Sequence, residues 1–154
     1  MRGHLAGRRS RRLTSQVGRA DTVTAMDIVA AVFIENIELR QAPGPSTRID
    51  LTGVHFSMAS PTPVPTTVEP HMVVLVRCPL DQEGTGALET VYKRDGEQIA
   101  RNVQPLTVEP GKFAYRLVKA ELEFEDYGTV EAEVRIDLGP ITTVPFTLLA
   151  PDPS

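Results

Sequence analysis

Three histidines (His4, His55 and His71) and one cysteine (Cys78) are the side chains here best suited to nucleophilic, acid–base or metal chemistry. No two of the histidines have the spacing of a metal pair, and a single thiol cannot build a thiolate site. As a nucleophile Cys78 would need a base such as His55 or His71, and no local motif links them. Placed before Pro79 at the end of an apolar run, Cys78 reads more simply as a small buried hydrophobe. His55 lies out of phase with Val54 and Phe56, which assigns it to a solvent face. Carboxylates are more numerous: Glu121, Glu123, Glu125, Glu131 and Glu133 share the polar phase of two adjoining runs. That pattern describes a solvated sheet face, and the corner at Glu125 and Asp126 supplies too few oxygens for calcium. Gly84-Thr85-Gly86 is followed by no helix and so offers a phosphate no helix N-terminus. Neither a Gly-x-Ser-x-Gly elbow nor a dinucleotide fingerprint is present. The expectation is no catalytic residue, no metal-ligand set and no cofactor.

The elements around these residues are legible from hydropathy with a period of two. Ala120, Leu122 and Phe124 alternate with glutamates; Val130, Ala132, Val134, Ile136 and Leu138 form a second run; Val144, Phe146 and Leu148 form a third. Successive side chains of a strand point to opposite faces, so each run predicts a strand with one buried face. Ile28 to Ile34 is almost continuously apolar and predicts a strand covered on both faces, with the start of a helix as the alternative for so short a run. Ala42 to Ser46 is a turn. Ile49, Leu51, Val54 and Phe56 follow, with a shift of phase at Thr52-Gly53 of the kind a bulge produces. Pro61, Pro63, Pro65 and Pro70 exclude a central strand from 60–70 and favour an extended connection. His71 to Cys78 is the most apolar segment and predicts a central strand. Asp81 to Gly86 is a polar turn, and Leu88, Thr90 and Tyr92 alternate after it. Asp95-Gly96 is the best two-residue hairpin signal, returning into Gln98 to Val103. Phe113 to Phe124 predicts one long strand. Together these imply an all-β fold: a two-layer antiparallel sandwich of about seven to nine strands, with a small closed barrel as the alternative.

Composition bounds the rest. The chain has 154 residues, 41% hydrophobic, 5% aromatic and without tryptophan. Residues 1–25 are rich in Arg, Gly and Ser; six arginines against Asp21 sum to +5, which leaves −9 on the remainder of a chain whose net charge is −4. The segment 1–25 is expected to be a disordered basic extension, either lying upstream of a true start at Met26 or translated as an arm. Ser10-Arg11-Arg12 and Ala30-Ala31 give an export signal as a further alternative, although cleavage there would remove the first strand. Residues 26–150 are expected to form a single domain, with 151–154 as a tail. An acidic body repels phosphate, so no nucleic-acid partner is expected, and no apolar window is long enough to insert in a membrane. One cysteine permits no internal disulfide and fits a reducing, cytoplasmic setting.

From Phe124 through Tyr127, Gly128 and Val134 to Phe146, the chain resembles the end of an immunoglobulin-like sandwich. In that pattern an acidic corner and a glycine lead into the penultimate strand, and a hairpin brings in the last. The resemblance implies that Tyr127 ties its hydroxyl to nearby backbone. No cysteine pair or core tryptophan accompanies it. The span 26–149 also resembles a family of small, uncharacterised bacterial domains. That likeness runs through Ile49 to Phe56, Val73 to Val76 and Val91 to Gly96, and it implies a fold without catalytic residues.

The function expected is a non-enzymatic protein-interaction or scaffolding module. A ligand- or carbohydrate-binding sandwich is one alternative, and an enzyme of unrecognised class another. The partner is a protein or a second copy of the chain, engaged by an edge strand, with Met26 to Ile34 and Gln98 to Val103 as the candidate edges.

Overall fold

Most of the strands form where apolar and polar residues alternate, because one face of such a strand meets the core and the other does not. The computed structural model describes residues 26–44 and 46–151; residues 1–25 and 152–154, with the expectations attached to them, lie outside this range. Among the described residues there are twelve strands and no helix. They are β1 (Asp27–Ile34), β2 (Asn36–Ala42), β3 (Ser46–Thr52), β4 (Ser57–Ala59), β5 (Thr66–Val68) and β6 (His71–Arg77). Then come β7 (Thr85–Arg94), β8 (Glu97–Thr107), β9 (Phe113–Lys119), β10 (Leu122–Phe124), β11 (Gly128–Ile136) and β12 (Thr142–Leu149). Nine are seven residues or longer, and β4, β5 and β10 have three each.

The strands stack as two layers. One is the sheet β1-β6-β9, prolonged by the pair β5-β10; the other is β4-β12-β11-β7-β8. The Ala120 N–H donates to the Pro70 carbonyl (3.4 Å), which joins the prolongation to its sheet. Neighbours are antiparallel throughout except β4, which runs parallel to β12. Both sheets end in open edges, so the fold is a sandwich and the barrel alternative is excluded. Val74, Val76, Met72 and Val118 from one layer meet Leu88, Tyr92, Val130, Val134 and Phe146 from the other, all buried. Phe33 packs on Phe146 with ring centroids 5.0 Å apart. The Asp95-Gly96 hairpin is as predicted: both residues have positive φ (52° and 80°), and Arg94 pairs with Glu97 across the turn.

Several expectations are corrected. The hairpin β2-β3, paired from Asn36–Thr52 to Ala42–Ser46, belongs to neither layer, and its first arm went unread in the sequence. Thr52-Gly53 is not a bulge: β3 ends there, and residues 53–56 cross to β4 with one isolated bridge, His55 to Phe33. The predicted long strand 113–124 breaks at Ala120 and Glu121, where the chain exchanges β6 for β5 as its neighbour. Leu138 continues the period of two but sits in the turn after β11 and is 89% exposed. β8 extends past Val103 to Thr107 and contains Pro105. β1 is not covered on both faces, since Val29 is 52% exposed.

Candidate functional site

The sandwich keeps Cys78 apart from the histidines. Cys78 is buried in the core, its Sγ directed at the Pro79 carbonyl oxygen (3.4 Å), as its placement in an apolar run implied. It follows the last residue of β6 while His71 is the first, so the length of the strand, roughly 20 Å, separates them. His55 lies at the His71 end, beside Phe33, whose neighbour Ile34 pairs with His71. Its expected solvent face is corrected: the isolated bridge turns Val54 and Phe56 outward and His55 inward. The imidazole Nδ1 lies 2.7 Å from the Gly53 carbonyl oxygen, and the ring meets Phe146 edge-on at 5.9 Å. A cleft of about 430 Å³ brings His55 and His71 to the same wall as Glu35 and Glu69. Among the described residues, no three side chains of metal-binding type come close enough to share an ion. His4 lies outside the described residues.

The carboxylates divide between the layers. Glu123 lies on β10 with Glu121 and Glu125 on either side of it in one layer, while Glu131 and Glu133 belong to β11 in the other. Glu133 pairs with Lys93 (3.1 Å). Glu89 on β7 accepts from Arg101 and Arg135, each at 2.8 Å, and these bonds, Arg101's foremost, hold its carboxyl below the usual range. A cleft of about 510 Å³ collects Glu123, Glu125 and Asp126 with Asp95 and Glu97 around Arg94. Arg94 is committed to the fold: Nη1 donates to the Asp126 carbonyl (2.8 Å) and Nη2 to that of Tyr127 (2.7 Å). Its guanidinium lies 5.5 Å over the Phe124 ring. Arg94 ties this corner to the β7-β8 turn, and Tyr127 takes part through its backbone.

What remains is apolar and open. β1 has β6 on one flank; on the other, among the described residues, no strand pairs with it before the bridge at Phe33. Val29 has no partner on β6, because the register slips between Ile28 and Ala30. Beside this edge, the hairpin β2-β3 leans over the β1-β6-β9 sheet and leaves a groove of about 650 Å³. Val29, Leu75 and Phe113 line it from the sheet and Leu39 and Ile49 from the hairpin, with Phe113 65% and Leu39 51% exposed. Arg48 and Arg116 also line it. Exposed apolar surfaces of this kind mark protein or membrane interaction sites or ligand-binding grooves. Sequence reading found the β1 edge but missed the groove, because Phe113 and Leu39 sit on elements whose pairing it did not resolve.

The sequence matches no protein-family model and no curated protein.

Proposed function

We propose that the protein is a non-enzymatic interaction module that takes up an extended strand, from a partner or from a second copy, along the free flank of β1. The observation that carries this reading is how unevenly the sheet edges are guarded. β8 carries Glu97, Arg101 and Pro105; β9 carries Arg116 and Lys119; β4 is three residues long. Charge, proline and shortness are the usual defences against edge pairing. β1 has none of these from Ile28 to Ile34, only the slip at Val29. The separation of Cys78 from His71, and the use of the corner at Arg94 for the fold, support a binding role over a catalytic one. We read the sandwich as immunoglobulin-like, supported by the crossing from β10 to β11 at Gly128 and the closing hairpin β11-β12. A cytoplasmic setting accords with the single buried thiol.

Proline at position 29 tests the reading. Val29 has no ladder partner on β6, so Val29→Pro disturbs the free flank while sparing the β1-β6 pairing. The expected outcome is a folded protein, by circular dichroism, whose self-association or strand capture is weakened by about tenfold or more in sedimentation. A wild-type protein that neither self-associates at high micromolar concentration nor protects β1 amides with any strand peptide would overturn the proposal.

A further inference from the structure

Two of the residues that line the groove beside β1, Arg48 and Arg116, are cations without an ion pair among the described residues. Arg40 and Arg48 are directly opposite each other on β2 and β3, an arrangement that costs stability. Asp50 answers only Arg40, at 2.6 Å. Among the described residues Arg48 has no ion pair, and Arg116 has none either, its Nη1 donating to the Tyr115 carbonyl (2.9 Å). Both line a groove whose other residues, Thr47 and Tyr115 apart, are apolar, on a body of charge −9 where carboxylates are plentiful. A cation kept opposite another cation, and unneutralised in such a body, conflicts with local stability in the way binding sites do.

We propose that the groove seats an extended segment of a partner protein in which acidic residues alternate with large apolar ones. Apolar side chains of the segment fill the space between Phe113, Leu75 and Leu39, and its carboxylates reach Arg48 and Arg116. The shape suits such an occupant, since the groove crosses the sheet from Val29 on β1 to Phe113 on β9. Charge disfavours the other occupants. Residues 1–25 carry +5, the same sign as the groove's arginines, and Asp21 is their one carboxylate. A second copy docked on this face by a two-fold axis would bring the same arginine-bearing patch of both copies together. This assignment rests on the reading of the β1 side as an interaction surface, and it names the partner's chemistry.

The test measures fluorescence anisotropy of three labelled peptides of one length. In them leucine and phenylalanine alternate with glutamate, glutamine or lysine, and labelled dodecanoate serves as a fourth probe. The glutamate peptide should bind best, more weakly as salt is raised. Arg48→Gln and Arg116→Gln should each weaken it about tenfold without lowering the melting temperature, and leave the glutamine peptide unaffected. Leu39→Ser should weaken both peptides. Equal binding of the glutamate and glutamine peptides overturns the role of the arginines while leaving strand capture at β1 intact, because Val29→Pro reports on that separately. Preference for dodecanoate over every peptide overturns the proposal in favour of a small amphiphile. Binding of no probe to the groove overturns it outright.

Discussion

Truncating Arg94 to alanine removes two charge-assisted hydrogen bonds to backbone carbonyls and a cation over the Phe124 ring. The expected loss is about 2 kcal/mol in urea unfolding. Arg94→Lys should recover only part of it, since a point charge cannot span both carbonyls as the planar fork does. Tyr92 behaves in the opposite sense. Its hydroxyl, like that of Thr90 on the same face of β7, is buried without a hydrogen-bond partner among the described residues. Burial raises the phenol above its ordinary value of 10.0. The folded state therefore keeps this proton at a pH where the unfolded chain has released it. The stability linked to that difference is intact below the ordinary phenol value and is lost as pH rises above it. Tyr92→Phe should leave stability at neutral pH unchanged or raised by about 1 kcal/mol, and should flatten its decline above pH ~10, as read by chemical denaturation across that range.

At the scale of elements, the turn before β7 depends on one close approach. A Cβ at Gly84 would overlap the Val108 carbonyl oxygen, and the Val108 N–H donates to the Gly84 carbonyl (2.7 Å). Gly84→Ala should therefore cost about 3 kcal/mol, seen as a lower melting temperature with the unfolding slope unchanged. Strands were legible where burial follows a strict period, as at Leu88 to Tyr92, Val130 to Ile136 and Val144 to Leu148. Each faces one core, and polar residues betray the other side. Legibility failed where a strand changes neighbour or leaves the layers. Leu39 and Ile49 keep the period of two yet remain exposed, because β2 and β3 project as a hairpin rather than joining a sheet. Hydropathy reports that one face differs from the other, not which surface covers it. For the same reason His55 was assigned to the wrong face, since its phase is set by a single bridge to Phe33 rather than by a ladder. The candidate site was half visible. The β1 edge followed from an apolar run without proline, while the groove depends on β2, β3 and β9 meeting across more than sixty positions of sequence.

For the molecule as a whole, strand direction has a mechanical consequence. Met26 at the head of β1 lies beside Thr142 at the head of β12, and Phe33 near the tail of β1 packs on Phe146 farther along β12. The two strands thus run the same way in opposite layers, and Met26 and Leu149 mark opposite ends of the sandwich. Tension applied between those points acts along the strands. The β1-β6 and β11-β12 ladders would then have to slide, breaking many hydrogen bonds together. Tension applied between Asp95 and Leu149 instead should peel strands one bond at a time, and single-molecule pulling should register the lower rupture force there. Carried between neighbours in a longer chain, the same strand order would make this sandwich a stiff link under load, with its β1 edge still facing outward while the force is borne.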